Sequence, residues 1–360
     1  MNKEDQLIER ICQRLGSPTI RTGRTLAAKR GVGLALGPGD DACVLRSTRG
    51  REWVASADAF LENVHFIRRL HPPASIGYKA LARATSDLAA MGAAPRCFLL
   101  SLALPRKVTT SWLNSFLGGM SQAARKFGMA LAGGDTSCTD AIAINLTVLG
   151  EVPVGWAIPR SGARSGDRVF VTGRLGAAQL GLEILLRGLS HQANLRRYLV
   201  PHFFPDPPIA LGRWLSLQQL PSAMIDLSDG LSTDLDRLCR SSAVGARISE
   251  ANLPVVHVPE SLRRRGIDAR DLARNGGEDY QLLFTVPARF ARRIPRRHSG
   301  VRITEIGEIV RACGVQLISK DGSAAPLTPR GWDHFGQSSR TNLRDLGSSR
   351  SRSDRAQRNV

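Results

Sequence analysis

The sequence predicts an α+β protein folded as two domains. Three observations carry that reading. Short apolar runs of strand length interleave with stretches of helical period over most of the chain. Their spacing is irregular, unlike the even βαβ repeat of a doubly wound sheet. A stretch with Pro153, Gly155, Pro159, Gly162 and Gly166 divides the elements into two series. The chain has 360 residues, 42% of them hydrophobic. That length accommodates two cores, at ~150 residues per domain. The expected division is residues 1–152, residues 153–336 and a disordered tail at 337–360.

Taken in order, Leu7, Ile8, Ile11 and Leu15 share a helical face and predict an opening amphipathic helix over residues 4–15. Residues 19–37 read as a basic loop. Residues 53–56 and 97–104 are apolar runs bounded by polar residues or proline and read as strands. Between them Ile76, Ala80, Leu81, Ala84, Leu88 and Met91 recur at helical spacing. Residues 112–127 predict another helix and 142–152 another strand. In the second series, 168–172 predicts a strand, 177–186 a helix and 223–242 a strand–turn–helix unit. The pattern ends near Phe335. Residues 337–360 are dominated by Ser, Arg, Asp and Asn and hold too few apolar side chains to fold.

Charge is the unusual part of the composition. Fifty Lys and Arg against 31 Asp and Glu give +19, with an isoelectric point near 11.0. Six arginines and two aspartates in residues 337–360 supply +4 of this surplus. The body holds the rest, including Arg263-Arg264-Arg265 and Arg292, Arg293, Arg296 and Arg297. A solvated, arginine-rich surface and a field that attracts phosphate both fit. Six scattered cysteines without a Cys-x-x-Cys pair predict neither a disulfide framework nor a zinc site. No apolar run approaches the ~20 residues of a membrane span, and the start is too polar for a signal peptide. A reduced, soluble, cytoplasmic protein that engages no membrane is expected.

In so basic a chain the placement of the acids is informative. Aspartates recur beside glycine or serine in short, turn-like motifs: Gly39-Asp40-Asp41, Ser56-Ala57-Asp58, Ser86-Asp87, Gly133-Gly134-Asp135 and Asp226-Leu227-Ser228-Asp229-Gly230. Small neighbours let carboxylates approach one ion closely. Oxygen ligands without His or Cys suit Mg²⁺, which binds through a few carboxylates and substrate phosphates. One Asp-Gly is ordinarily a turn or a helix cap; five such motifs are not. Asp226 and Asp229 are the sharpest pair, expected where a strand meets a helix whose first amides could receive phosphate oxygens. Asp234 and Asp236 read as surface or capping residues, and His65, in an apolar run beside Phe66, reads by itself as structural. The chain has neither a Gly-x-x-x-x-Gly-Lys-Ser/Thr loop nor a Gly-x-Ser-x-Gly elbow.

The motifs in order resemble the thiamine-monophosphate kinase family, within the aminoimidazole ribonucleotide synthetase-like superfamily. The matching stretches include Gly-Pro-Gly-Asp-Asp-Ala (37–42), Ser-Ala-Asp (56–58), Asn-Val-His-Phe (63–66) and Ile-Gly-Tyr-Lys-Ala-Leu-Ala (76–82). Further matches are Ser-Asp-Leu-Ala-Ala-Met-Gly-Ala (86–93), Gly-Gly-Asp-Thr (133–136), Arg-Ser-Gly-Ala (160–163), Ile-Asp-Leu-Ser-Asp-Gly-Leu (225–231), Gly-Gly-Glu-Asp-Tyr (276–280) and Gly-Trp-Asp-His-Phe (331–335).

The resemblance implies the two-domain superfamily fold, with N-terminal domains paired in a homodimer and a C-terminal domain closing the nucleotide cleft. It implies ATP-dependent phosphorylation of thiamine monophosphate to thiamine diphosphate, with several Mg²⁺ ions. Asp41, Ser56, Ala57, Asp58, Asp87, Asp135, Asp226 and Asp229 match metal positions; Gly134, Asp135, Arg160 and Ser228 match ATP positions. His65, Glu278 and Trp332 match positions that hold the thiamine substrate, and no general base is nominated. Two departures stand out. Ala57 occupies a position where threonine is common, and Gln281 replaces a frequent glutamate. Within the superfamily, a selenophosphate synthetase would need a reactive cysteine in its early loop, where no fitting motif occurs. The 63–66 and 276–280 motifs disfavour an aminoimidazole ribonucleotide synthetase. A basic nucleic-acid-binding protein would account for +19 but not for the acidic motifs, so nucleic acid is not an expected partner.

Overall fold

The computed structural model describes residues 10, 11, 13–15, 34–36, 44, 45 and 49–332. Asp41, the first turns of the opening helix, most of the basic loop and the tail at 337–360 lie outside the described residues. Two short strands, β1 (Leu34–Leu36) and β2 (Val44–Leu45), pair antiparallel.

The first large unit is a four-stranded sheet in the order β3-β6-β4-β5, from β3 (Arg51–Leu61), β4 (Ala94–Leu104), β5 (Ala130–Cys138) and β6 (Ala143–Pro153). Alternation along β4 decides its faces: Phe98, Leu100, Leu102 and Leu104 are buried, while Ser101 between them is exposed. The buried face packs under two helices, α1 (Pro73–Ala90) and α2 (Thr110–Phe127), with Phe60, Leu81, Phe116 and Ile144 in one core and Ile11 and Leu15 of the opening helix beside them. Helix α2 starts at Thr109, whose side chain accepts the Trp112 amide at 3.2 Å, and ends at Gly128 in the left-handed region. It joins β4 to β5 in parallel, so one βαβ unit does occur within the irregular pattern.

The second sheet runs β14-β13-β9-β12-β7-β10-β8, with β11 (Arg297–His298) paired to β12. Its strands are β7 (Arg168–Thr172), β8 (Ala223–Leu227), β9 (Gly245–Ser249), β10 (Gln281–Val286), β12 (Val301–Val310), β13 (Gly314–Ile318) and β14 (Ala324–Pro326). Pairing is antiparallel except between β9 and β13. The longer helices of this half are α3 (Ala177–Leu186), α4 (Ile209–Gln218), α5 (Leu231–Ser241) and α6 (Ala269–Asn275). Although β8 is an edge strand, all five of its residues are buried. A separate core explains why: Ala89 and Ala90 at the end of α1 pack with Leu211 and Leu215 of α4 and with Phe170, Met224 and Phe284 of the sheet. Helix α1 therefore touches both sheets, which places it where a cleft between them would form.

Candidate active site

Helix α1 is buried on most of its circumference yet carries Lys79, Arg83, Ser86 and Asp87. At 3.6 residues per turn these four fall within one stripe, and Gly77, Leu81, Ala84 and Leu88 take the opposite, core-facing side. Each member of the stripe meets a different predicted residue. Arg83 donates to both carboxylate oxygens of Asp58 on β3, at 2.6 and 2.8 Å. Ser86 Oγ donates to Asp226 at the end of β8, at 2.7 Å. Ser56, two residues before Asp58 and so on the same face of β3, donates to Asp87. Lys79 Nζ lies 2.7 Å from Glu278. The Arg83 guanidinium also covers the Phe60 ring at 5.3 Å, and the His65 ring lies 5.7 Å from the same ring.

The backbone ties Glu278 and Trp332, two of the residues expected to hold the substrate, to the Asp226–Asp229 turn. The amides of Tyr280, Glu278 and Trp332 donate to the carbonyls of Leu227, Ser228 and Asp229 at 2.9, 2.7 and 3.2 Å. Ser228, Asp229, Glu278 and Trp332, far apart in sequence, thus share one turn. Glu278 holds φ 66°, in the left-handed region. Its neighbour Asp279 points elsewhere and accepts from the Gly176 and Ala178 amides at 2.5 and 2.9 Å, capping α3. Gln281 bonds to Thr172 at 2.7 Å and so works within the sheet.

Several expectations need correction. The aspartate motifs are not all turns: Ser56-Ala57-Asp58 lies inside β3, Ser86-Asp87 inside α1 and Gly133-Gly134-Asp135 inside β5. The amides of Asp229 and Gly230 are not open to phosphate, because Asp234 accepts both at 3.0 Å. Asp234 is a cap, but it is buried rather than superficial. Its partner Arg237 also donates to Asp229.

Three predicted residues, Ala57, Gly134 and Asp135, stand apart from the α1 stripe. Ala57 lies on the opposite face of β3 and is exposed. Pairing runs level from Asp58 through Leu146 and Leu100 to Gly134, so the Gly134–Asp135 step sits on the far edge strand. Three strand spacings separate the two edges, roughly 14 Å. Asp135 faces away from the helices, exposed, with Ser137 Oγ at 3.3 Å. Gly134 is required there: a Cβ would stand 1.9 Å from the Leu100 carbonyl oxygen. Gly134→Ala is expected to destabilise the fold by about 1–3 kcal/mol through forced separation of β4 and β5. A melting temperature equal to that of the unsubstituted protein would contradict this.

Electrostatics single out Asp226 and Asp87. Burial, followed by the carboxylates of Asp87 and Asp234, pushes Asp226 up to about 8. Asp87 is also raised, by burial and by Asp58, against the Ser56 hydrogen bond and the charges of Arg83 and Arg160. That last influence brings exposed Arg160 within electrostatic reach of Asp87. Arg83 is held charged, because Tyr280, Asp58 and Glu278 together outweigh its burial.

Among the described residues no three His, Cys, Asp or Glu side chains form a ready-made metal cage. Asp58 and Asp229 are turned to arginines. Asp87 and Asp226 are different: their hydrogen-bond donors are neutral serines, and burial raises both, helped by a neighbouring carboxylate, Asp58 for Asp87 and Asp87 for Asp226. An oxygen-only pair of this kind fits Mg²⁺, which is commonly held by one or two carboxylates plus substrate phosphates.

The sequence reading missed Lys79, Arg83 and Ser86. Their signal was available as polar residues at intervals of four and three on a helix with little exposed surface. It also missed His71 and His202, which only the tertiary fold brings to this cluster.

Comparison with known proteins identifies the family. The family described as AIR synthase related protein, N-terminal domain, matches residues 39–152. A thiamine-monophosphate kinase of Escherichia coli O157:H7 is 39% identical over 306 residues, covering 83% of this chain and 92% of the relative. That of Bacillus subtilis (strain 168) is 34% identical over 307 residues, covering 83% and 93%. Among solved structures, thiamine-monophosphate kinase from Stenotrophomonas maltophilia K279a superposes with a TM-score of 0.75 at 33% identity, covering 89% of this chain and 96% of that one. AaThiL complexed with AMPPCP and TMP superposes with a TM-score of 0.70 at 30% identity, covering 92% and 97%. Hydrogenase maturation protein HypE, at 21% identity and a TM-score of 0.71, shares the fold. The site motifs, the two-sheet architecture and relatives matched over nine-tenths of their length converge: the chain belongs to the thiamine-monophosphate kinase family.

Proposed function

We propose that this chain transfers the γ-phosphoryl group of ATP to the phosphate of thiamine monophosphate, giving ADP and thiamine diphosphate. The observation that carries the reading is the joining of two sites by one turn. The Asp226–Asp229 segment presents the Asp226 carboxylate to Ser86 of α1 and binds Glu278 and Trp332 through its backbone. The 30%-identical AaThiL, complexed with AMPPCP and TMP, supports the same pair of ligands.

A terminal oxygen of the acceptor phosphate forms a bond to the γ-phosphorus as the bond to the β-phosphate oxygen breaks. The acceptor is a monoester with a second pKa near 6, so it is largely dianionic at neutral pH and needs no general base. The work left to the protein is to align two anions and offset their charge. Asp87 and Asp226 would hold Mg²⁺, with Asp58 and Asp229 recruited if their arginines release them, and with Asp41 as the resemblance implies. A Mg²⁺ ion held by these carboxylates would supply Lewis-acid neutralisation of phosphate charge. Arg160 and Ser228 would meet the nucleotide, and His65, Glu278 and Trp332 the thiamine. Trp332 offers a face for the cationic thiazolium ring, and Glu278 a counter-charge.

The reading extends to a homodimer. Ala55, Ala57, Ser101, Asn145 and Asp135 are exposed on the helix-free face of the four-stranded sheet, a surface of small residues that a second sheet can approach closely. Asp135 and Gly134 lie across that sheet from Asp58, so a second copy offers a route by which Asp135 reaches a nucleotide. The domain division near residue 152 and a cytoplasmic location remain part of the proposal. The buried free cysteines Cys97 and Cys239 suit a reducing compartment, and no described helix is long and apolar enough to cross a membrane.

Incubation with ATP, Mg²⁺ and thiamine monophosphate should yield equal amounts of ADP and thiamine diphosphate, and chelation should abolish both. Thiamine itself, whose alcohol needs a base, should react at least ~10²-fold more slowly. Comparable turnover of the two acceptors would overturn the acceptor chemistry.

A further inference from the structure

Lys79 is the only member of the α1 stripe whose partner belongs to the thiamine end of the site. Its side chain is 1% exposed, so it cannot itself reach a ligand in solvent, and its ammonium lies 2.7 Å from Glu278 Oε2. The pair joins residues 199 positions apart, one on the helix under the first sheet and one on the turn beside the second.

A file of imidazoles stands behind it. His202 Nδ1 lies 3.4 Å from both Lys79 Nζ and Glu278 Oε2. His202 Nε2 is 3.0 Å from His71 Nε2, and His71 Nδ1 is held by the backbone of Ile67 at 3.0–3.2 Å. Burial, and next the charge of Lys79, keep both histidines neutral at physiological pH, His71 at about 4 and His202 well below its ordinary value. Either arrangement of ring protons ends at the ion pair. In one, His202 accepts from Lys79; in the other, it donates to Glu278. Meanwhile the Glu278 amide is fixed to Ser228 at 2.7 Å. Main chain and carboxylate are thus both anchored, and both side-chain contacts fall on Oε2, which leaves the lone pairs of Oε1 for a ligand.

We propose that Lys79, backed by His202 and His71, is a positioning residue of the acceptor site that fixes the Glu278 carboxylate for the amino group or cationic ring of the acceptor. The proposal rests on the reading of Glu278 as a thiamine-end residue. A buried ion pair is a poor source of stability compared with apolar packing. Here it links a carboxylate that is 23% exposed to a rigid helix, as a preorganised ligand contact requires.

The test is a double-variant cycle read as separate KM values for thiamine monophosphate and ATP, with melting recorded for each protein. Glu278→Gln is expected to raise KM for thiamine monophosphate about 10-fold, and Lys79→Met to do the same, with KM for ATP changed less than about 3-fold. The double variant should be no worse than Glu278→Gln, since Lys79 acts through Glu278. Should Lys79→Met not fold, Lys79→Arg keeps the charge but displaces the carboxylate and should raise the same KM about 3-fold. Effects that multiply in the double variant, an unchanged acceptor KM in a Lys79 variant, or an equal rise in both KM values would overturn the inference. If Glu278→Gln leaves the acceptor KM unchanged, the underlying reading of the acceptor site fails instead. If Glu278→Gln acts and the Lys79 variants do not, only the role of Lys79 is lost.

Discussion

Asp226→Asn is expected to slow thiamine diphosphate formation by about 10²-fold or more while leaving the metal-free protein at least as stable. The substitution keeps the shape and an acceptor for Ser86 Oγ, 2.7 Å away, but removes a negative charge from beside Asp87, Asp234 and Asp229. In the presence of nucleotide that charge is needed to hold a cation; in its absence the buried carboxyl keeps its proton or, once ionised at higher pH, is repelled by its neighbours.

The pH dependence follows with a definite sign. Asp226 rises from 3.8 to about 8 on folding, so between those values the folded protein retains a proton that the unfolded chain has lost. Stability in chelator therefore falls as pH rises through this window. The amide that replaces the carboxyl in Asp226→Asn has no such proton. The melting temperature of the variant minus that of the unsubstituted protein should therefore grow from pH 4 to pH 8. A variant with normal turnover at low Mg²⁺, or one that simply unfolds, would show that the carboxylate is structural.

Asp279→Ala should act in the opposite way, on the fold before the chemistry. Asp279 sits next to Glu278 in the same motif, yet it is turned from the site and caps α3 through two backbone amides. Leaving both donors buried without an acceptor should cost about 2–4 kcal/mol. At the usual scaling for a domain this size, that lowers the melting temperature by about 5 °C or more. Scanning calorimetry on the apo protein decides the matter, and an unshifted transition would remove the capping role.

These two aspartates mark what could be read from the sequence. The bounded apolar run in β4 and period-3.6 spacing in α1 exposed the α+β class, and the strand–turn–helix around Asp226 was legible because Gly230 ends one pattern and starts another. Gly133-Gly134-Asp135 was misread as a turn. Gly134 allows close approach to the Leu100 backbone, a demand visible only once β4 and β5 are paired. Asp234 read as a surface or capping residue; the cap is what it forms, while its burial had no trace in local spacing. Lys79 was passed over for a similar reason. A lysine in a helix ordinarily faces water, and its partner Glu278 lies 199 positions away. Sequence pattern carries the local periods and the acid-rich motifs; sheet edges, caps and cross-chain ion pairs depend on contacts that have no local trace.

The most direct test of the account is a Mn²⁺ titration followed by the electron paramagnetic resonance of the free ion, with a non-hydrolysable ATP analogue present. If Asp87 and Asp226 hold the metal that offsets the phosphate charge, the unsubstituted protein binds the ion with its nucleotide. Asp226→Asn should then lose at least one bound ion per chain or bind it about 10-fold or more weakly. Equal stoichiometry and equal affinity in the two proteins would contradict the account at its centre.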